Sequence, residues 1–263
     1  MTKHIYIGSN QKMYKTASQV QDYLLNLGIN AASISRKDLT IFIIPSYTSL
    51  DRARRTVKKG DILLGAQNMY WEEEGQFTGE ISPVMLQDMG IEIVLVGHSE
   101  RRHVLGETDE EANRKVLSAL AHDFIALLCV GETGEQKDLD LSDETLRAQI
   151  KRGLRGVPVE DLSQLWIAYE PVWAIGVGGT PASAAYANEK HYIIKQCLFE
   201  LYGGDYAKIP VLYGGSVDID NCEELAAQQY VDGLFVGRAA WDADRFGEII
   251  NAALPVFKSK ERR

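Results

Sequence analysis

Eight short apolar runs, rich in β-branched residues, recur along the chain and constrain its fold more than any other feature. Most are apolar at nearly every position, which is typical of strands covered on both faces of a parallel sheet. Helix-like stretches that mix an apolar stripe with charged residues separate the runs. In chain order they are IYIG from Ile5, LTIFIIP from Leu39, ILLGAQN from Ile62, IEIVLVGH from Ile91, FIALLCVG from Phe124, LWIAYEP from Leu165, IPVLYGG from Ile209 and DGLFVGR from Asp232.

The alternation of strand and helix predicts an α/β protein, a single (β/α)8 barrel over residues 1–263, because no Gly/Ser-rich linker or change of composition divides the chain. An open doubly wound sheet is the alternative. That fold normally places a glycine-rich fingerprint after its first strand, and GSNQKM is not one. The clearest helices are predicted over Thr108 to Ala121, Ser142 to Leu154, Ala182 to Leu201 and Ala243 to Ala253.

Charge and hydropathy exclude several classes of protein. No apolar run approaches the roughly 20 residues of a membrane helix, and the N-terminal MTKHIYIGSN lacks the apolar core of a signal peptide. The net charge of −9 argues against nucleic acid and anionic membranes as partners, since both select a basic surface. We expect a cytoplasmic protein. If its substrate is an anion, the positive groups that bind it must be local.

Cysteine usage indicates neither disulfides nor a metal centre. Cys129, Cys197 and Cys222 are odd in number and widely spaced, which fits free thiols. No cluster of metal ligands and no nucleotide-binding motif stands out in the sequence, so we expect no metal and no organic cofactor.

Polar residues directly after the apolar runs are the candidate site residues, because active sites of such barrels lie at the C-terminal ends of the strands. Asn10 and Lys12 follow the first run, His98 and Glu100 the fourth, and Glu170 the sixth.

Glu170 and His98 are the candidates for proton transfer. Glu170 lies between an apolar strand and Pro171, where burial would make its carboxylate a stronger base. A neutral His98 imidazole could polarise a carbonyl group. The alternatives are a strand-end glutamate that caps a helix or pairs with a surface lysine, and a buried histidine bonded to backbone.

The remaining polar candidates have equally ordinary alternatives. Lys12 could offer positive charge to an anionic substrate or a developing oxyanion, or it could be a solvated surface lysine. Asn10 could be a turn residue. Glu100 could pair in solvent with the arginines of HSERR in the first turn of a helix.

Glycines after the last strands suggest a phosphate site. Gly214, Gly215, Ser216 and Gly237 follow strands seven and eight, where backbone N–H groups and a helix N-terminus can hold a phosphate. After strand six, Gly176, Gly178 and Gly179 supply backbone freedom for a lid. Plain tight turns are the alternative.

Taken together, the ordered motifs resemble the triosephosphate isomerase family over essentially the whole chain. The segments that carry the resemblance are NQKM from Asn10, GAQNMYWEEEGQFTGEISP from Gly65, VGHSERRHVLGET from Val96, CVGET from Cys129, AYEPVWAIGVG from Ala168 and YGGSV from Tyr213.

The resemblance implies a TIM barrel and a role for each candidate. Glu170 would move a proton between adjacent carbons, His98 would polarise the carbonyl, and Lys12 with Asn10 would stabilise an enediolate. Glu100 would support this cluster. A flap from Pro171 to Thr180 would close over a small phosphorylated sugar, and Gly176, Ser216 and Gly237 would donate backbone N–H groups to its phosphate. The resemblance also implies a homodimer in which the loop Met69 to Gly79 inserts beside the partner's site, with Thr78 near the neighbour's Asn10.

The chain departs from the family pattern around the expected substrate. Gln11 replaces the usual Trp, Tyr14 the usual Asn, Gly179 the usual Lys and Pro181 the usual Ala. Arg238 replaces a second glycine after strand eight, which gives GRAAW. Its guanidinium could bind the phosphate in a forked geometry or reach another substrate oxygen, or it could turn outward into a salt bridge.

Several functions remain open on sequence alone. The default expectation is interconversion of D-glyceraldehyde 3-phosphate and dihydroxyacetone phosphate. GRAAW resembles family members assigned to tetrulose phosphates, which interconvert L-erythrulose 1-phosphate and D-erythrulose 4-phosphate. A non-catalytic phosphosugar sensor and an aldolase with a Schiff base on Lys12 are the alternatives from other classes.

Overall fold

The structure, a computed structural model, describes residues 4–176 and 179–260. Eight parallel strands within these residues form a closed barrel in chain order, and β1 pairs with both β2 and β8. Each strand overlaps one of the apolar runs, so the predicted (β/α)8 barrel is confirmed. The strands are β1 (Ile5–Asn10), β2 (Leu39–Ile44), β3 (Leu63–Ala66), β4 (Ile93–Val96), β5 (Ile125–Val130), β6 (Leu165–Tyr169), β7 (Val211–Tyr213) and β8 (Gly233–Val236).

Helices cover the outside of the barrel between the strands. Threonine side chains start several of them, and Thr16, Thr108 and Thr133 each form a reciprocal capping box with the residue three positions on. In the described residues the α-helices are α1 (Ala17–Asn30), α2 (Leu50–Thr56), α3 (Pro83–Asp88), α4 (Ser99–His103), α5 (Asp109–Ala121), α6 (Gly134–Asp138), α7 (Ser142–Gly153), α8 (Ala184–Tyr202), α9 (Cys222–Ala227) and α10 (Ala243–Ser259).

Two helix boundaries differ from the sequence prediction by more than one residue, each for an identifiable reason. Helix α8 begins at Ala184 because the Ser183 hydroxyl accepts a hydrogen bond from the third helical N–H and so caps the helix. Helix α10 continues beyond the predicted end at Ala253, through Pro255, to Ser259. Burial of Leu254 and Phe257 in the core maintains the helix despite the N–H that proline lacks.

The core has two layers, which explains why the strands are apolar on both faces. On β2, Ile41 and Ile43 pack outward in the large cluster shared by strands and helices. Phe42 and Ile44 point into the barrel, where the Phe42 and Phe235 rings stack with centroids 5.6 Å apart. Successive side chains of a strand alternate between these layers, so each position must be apolar.

A buried ionic network holds the segment that follows β4. The Glu107 carboxylate accepts hydrogen bonds from the Gly97 N–H at 3.0 Å, from the Lys115 ammonium at 2.7 Å and from the Arg101 guanidinium. Burial raises the pKa of Glu107, but Lys115 and Arg101 outweigh it and hold the pKa below its usual value. Since His98 lies between Gly97 and helix α4, this carboxylate anchors both sides of that histidine.

We expect Glu107→Gln to destabilise the protein by about 3 kcal/mol near neutral pH, because it leaves the buried Lys115 ammonium without its anion. The lowered pKa of Glu107 stabilises the fold above the pKa of an unfolded glutamate, about 4.3. That contribution is lost as the pH falls through the folded value, so the gap between wild type and variant should narrow in acid. Urea unfolding at several pH values measures both effects. Glu110→Gln, at an exposed glutamate of α5, is the control, and an equal loss there would refute the assignment.

Candidate active site

Glu170 lies directly after β6 at the C-terminal mouth of the barrel and is only 3% exposed. Its Oε1 is 3.2 Å from His98 Nε2, and its Oε2 accepts a hydrogen bond from the Ser99 N–H at 3.0 Å. The end of β6 and the start of α4 therefore meet at this carboxylate. It therefore accepts the first N–H of α4, as in the helix-capping alternative, but it forms no ion pair with a surface lysine among the described residues.

Two glycines make room for Glu170 from the neighbouring strands. A Cβ atom on Gly131, after β5, would fall 1.9 Å from the Glu170 carbonyl oxygen. A Cβ atom on Gly214, after β7, would lie 3.0 Å from Glu170 Cγ, tighter than an ordinary contact. The expectation that site residues directly follow the strands selected Gly214 only as part of a phosphate-binding loop. The structure shows that it also bounds the space of the carboxylate.

The protonation of Glu170 is set by opposing influences. Burial raises its pKa, but His98, the Ser99 N–H and Lys12 together outweigh burial and hold the pKa below its ordinary value. The sequence-based expectation that burial would make it a stronger base is therefore wrong for this arrangement. The contacts that the carboxylate makes stabilise its charged form more than burial destabilises it.

His98 is held as a specific tautomer by the helix that follows it. It is the N-cap of α4, and its Nδ1 accepts a hydrogen bond from the Glu100 N–H at 3.2 Å. An accepting Nδ1 carries no proton, so the proton of the ring lies on Nε2 and points toward Glu170. The histidine bonds to backbone and faces the site at the same time.

Lys12 is largely shielded from solvent at the mouth of the barrel and is not a fully solvated lysine. Its side chain is 16% exposed, and its Nζ donates a hydrogen bond to Glu100 Oε1 at 2.7 Å. Its backbone lies in the left-handed region, with φ of 51°, a conformation that is costly for a lysine. Glu100 thus pairs with Lys12 across the mouth of the barrel instead of with the arginines of its own helix.

Asn10 links the first strand to its neighbours. Its Oδ1 accepts hydrogen bonds from the Lys12 N–H at 2.8 Å and from Gln67 Nε2 at 3.3 Å. Gln67 also donates to the Lys12 carbonyl oxygen at 2.6 Å. Sequence reasoning missed Gln67, although its place directly after β3 carries the same strand-end signal as Asn10.

One cavity of about 590 Å³ brings all the predicted site residues together. A volume of this size is typical of small-molecule sites. Its lining also includes side chains that sequence reasoning did not select, among them Asp218, Trp241 and Arg245. The predicted residues along it are Asn10, Lys12, His98, Glu100, Glu170, Gly176, Gly215, Ser216, Gly237 and Arg238.

The glycine-rich end of the cavity is built from the segments after β6, β7 and β8. Ser216 Oγ donates to the Ala174 carbonyl oxygen at 2.6 Å, which ties the β7 segment to the β6 segment. Gly176 has a φ of 89°, which favours glycine. Of the predicted lid, Val177 and Gly178 lie outside the described residues.

The departures from the family pattern fall into two groups. Tyr14 faces the cavity and its ring packs on Trp241 with centroids 4.3 Å apart, while Trp241 Nε1 donates to the Asn10 carbonyl oxygen at 3.0 Å. Gln11, by contrast, is fully buried and does not line the cavity. Arg238 is exposed along the cavity and forms no salt bridge within residues 4–176 and 179–260, contrary to the outward pairing considered above.

Two further properties of the described residues concern metal ligands and membrane-spanning helices. In the part of the chain that the structure describes, no three side chains of His, Cys, Asp or Glu are grouped so as to hold a metal ion. None of the described helices has the length and apolar character needed to cross a membrane.

Comparison with known proteins gives a consistent result. The sequence model of the family described as triosephosphate isomerase matches residues 5–253. An L-erythrulose-1-phosphate isomerase of Rhizobium etli is 42% identical over 94% of this chain and 91% of its own length. A triosephosphate isomerase of Roseiflexus sp. (strain RS-1) is 44% identical over 93% of this chain and 96% of its own. A second L-erythrulose-1-phosphate isomerase, from Rhizobium meliloti, is 41% identical over 94% and 95%.

We expect His98→Leu to raise the pKa of Glu170, because the variant removes the hydrogen bond from the imidazole, which opposes the effect of burial. Titration of the side-chain carboxyl 13C resonance, assigned by difference against Glu170→Gln, measures the shift. His122→Gln, at a histidine whose ring pairs with Glu73, is the control and should leave the titration unchanged. A pKa that stays constant or falls in His98→Leu would show that the imidazole does not stabilise the carboxylate.

Proposed function

The chain belongs to the triosephosphate isomerase family, and on that premise we propose that it isomerises a short phosphorylated sugar through an enediolate, with Glu170 as the base. The observation that carries the proposal is the pairing of Glu170 with a neutral His98, 3.2 Å apart, on a cavity that Lys12 also lines. A base, a neutral hydrogen-bond donor and a cation on one cavity are the groups that this chemistry requires.

The proposed reaction moves one proton between adjacent carbons. Glu170 removes the proton from the hydroxyl-bearing carbon, and the C–H electrons form the double bond of the enediolate while charge develops on the former carbonyl oxygen. His98 Nε2–H and the Lys12 ammonium stabilise that charge. The neutral ring can also pass a proton between the two oxygens. Glu170 then returns its proton to the neighbouring carbon, which completes the isomerisation without a cofactor.

Substrate binding would change the basicity of Glu170 in the useful direction. A sugar placed between Glu170 and His98 displaces the Nε2 contact that lowers the pKa, while burial persists and raises it. A carboxylate that is well stabilised in the free protein thereby becomes a stronger base when the substrate is present.

The default substrates are D-glyceraldehyde 3-phosphate and dihydroxyacetone phosphate. The second candidate pair is L-erythrulose 1-phosphate and D-erythrulose 4-phosphate, in which the same proton transfer moves the carbonyl between the two central carbons. Relatives named for either activity match this chain to a similar degree: two L-erythrulose-1-phosphate isomerases are 42% and 41% identical, and a triosephosphate isomerase is 44% identical. One observation favours the second pair. Arg238, unpaired among the described residues, lines the cavity where the family has a glycine.

The other classes of function fit the site less well. An aldolase would need an uncharged Lys12 amine, but that amine donates a hydrogen bond to the Glu100 carboxylate and pairs with it as an ammonium. A non-catalytic sensor would have no need of the Glu170 and His98 pair. The retention of both in hydrogen-bonding geometry supports an enzyme.

We expect purified protein to interconvert at least one of the two substrate pairs, and Glu170→Gln to abolish turnover while leaving the affinity for a phosphate analogue nearly intact. The variant removes the base but keeps the shape of the side chain. Comparison of kcat/KM for triose and tetrulose phosphates identifies the preferred pair. Absence of turnover with every triose and tetrulose phosphate would refute the proposal, and so would loss of analogue binding equal to loss of rate.

We also propose that the protein is a homodimer through the loop Met69 to Gly79. In this loop Tyr70 packs on Trp71 with ring centroids 4.1 Å apart, and Phe77 packs on Tyr70 at 4.4 Å. Beside Asn10 and Lys12, a second cavity of about 740 Å³ is lined by residues that include Met13 and Tyr14. Met13 is 92% exposed there. A loop with three packed aromatic rings and a recess with an exposed methionine on one chain fit a symmetric pair of copies.

We expect sedimentation velocity to give a dimer for the wild type and a monomer for Met13→Asp, which places a charge in the recess without disturbing the core of one subunit. Turnover should fall with dissociation if Thr78 of one copy positions Asn10 of the other. Leu139→Glu alters an exposed leucine outside the recess and should remain dimeric. A monomeric wild type, or a fully dimeric Met13→Asp, would contradict this interface.

A further inference from the structure

Two arginines lie on the same cavity as the catalytic candidates. Arg238 stands in the 3₁₀ turn Arg238–Trp241 directly after Gly237, and Arg245 lies in the first turn of α10. Both side chains are exposed and both line the cavity of about 590 Å³. Arg245 does not directly follow a strand, so the search for polar residues after the strands did not select it.

Neither arginine is neutralised within the described ranges 4–176 and 179–260. Lys12, the third cation of this cavity, pairs with Glu100 at 2.7 Å, whereas no salt bridge within those ranges involves Arg238 or Arg245. Asp218 also lines the cavity, but its Oδ1 already accepts the Asp220 and Asn221 N–H groups. Two like charges on one cavity repel each other unless an anion binds between them.

The net negative charge of the chain means that an anionic substrate needs local positive charge at the cavity. At a net charge of −9, the protein repels a phosphate dianion at long range. Neutral backbone N–H groups at the glycine-rich end cannot offset that repulsion, because they act only at hydrogen-bond distance. The charges of the Arg238 and Arg245 guanidinium groups on the rim, at the mouth of the cavity, attract a phosphate over about 10 Å at ordinary ionic strength. At short range, a guanidinium binds phosphate oxygens in a forked geometry.

We propose that Arg238 and Arg245 form a cationic clamp that captures the phosphate group of the substrate and carries it to the glycine-rich end of the cavity. The clamp rests on the proposed function for the identity of its ligand, a sugar phosphate. It adds to that function two side chains that determine capture of the dianion rather than the proton transfer. In this arrangement the arginines contact the phosphate and not the reacting carbons, so they act as binding residues.

The clamp predicts a specific kinetic pattern for Arg238→Gln and Arg245→Gln. Each variant should lower kcat/KM about three- to tenfold at low ionic strength, through KM, and should leave kcat within about twofold. The difference from wild type should shrink as sodium chloride is added, because salt screens the charges. If both arginines hold the same dianion, the double variant should lose less than the product of the two single losses.

Arg155→Gln is the matched control. Arg155 is exposed in the connection from α7 to β6, at the opposite end of the barrel, and its replacement changes the net charge of the chain by the same amount. Control kinetics that match those of the rim variants would show that the two arginines are ordinary surface cations and would overturn the clamp. Losses that fall on kcat would also overturn it, because the arginines would then act on the proton transfer and not on capture of the phosphate.

Binding of inorganic phosphate separates this inference from the proposed function. Calorimetry should show phosphate binding to the wild type, weakened about three- to tenfold in each rim variant and unchanged in Arg155→Gln. If the wild type turns over none of the sugar phosphates but this binding pattern holds, the proposed function fails and the clamp stands. If turnover is normal and both arginine variants bind phosphate as tightly as the wild type, the clamp is refuted while the proposed function is not.

Discussion

Closure of the barrel between its first and last strands is the constraint on which the site depends. The register that pairs Ser9 with Val236 places the ends of β1 and β8 side by side. Residues more than two hundred positions apart then share one wall, where Trp241 bonds to the Asn10 carbonyl oxygen. Because all eight strands are parallel, each contributes its following loop to the same mouth. The candidate site is thus built from the loops, while the two-layered core fixes the positions of those loops.

At that mouth, the electrostatics of Glu170 balance two large and opposite effects. A carboxylate 3% exposed would ordinarily be driven toward its neutral form, yet the pKa lies below the ordinary value because the His98 ring and the Ser99 N–H contact it directly. Both contacts come from one short segment, and Glu107 anchors that segment from behind through Gly97 and Arg101. Helix α4 has only five residues and is too short to be stable without these tertiary contacts. The network around Glu107 therefore also holds the groups that contact Glu170 in place.

Much of this arrangement was predictable from sequence, and the exceptions have physical causes. Strand ends are readable from apolar periodicity, so Glu170, His98 and Lys12 could be placed at the mouth of the barrel in advance. The direction in which the pKa of Glu170 shifts could not be predicted from sequence, because it depends on distances to groups that follow other strands. Arg245 was missed because it lies on a helix, and only the tertiary course of α10 brings it to the cavity. The length of α10 escaped prediction because packing of Phe257 overrides the local effect of Pro255.

The close fit of backbone around Glu170 also limits how this protein can diverge. At Gly131, any side chain would collide with the Glu170 carbonyl oxygen, and at Gly214 it would press on Glu170 Cγ. Neither glycine can therefore be replaced without a shift of Glu170. The rim formed by Tyr14, Arg238 and Arg245 is under no such restriction, because its side chains are exposed. Substitutions among these exposed side chains can accordingly change the lining of the cavity, whereas the closely packed surroundings of Glu170 can change only together with Glu170.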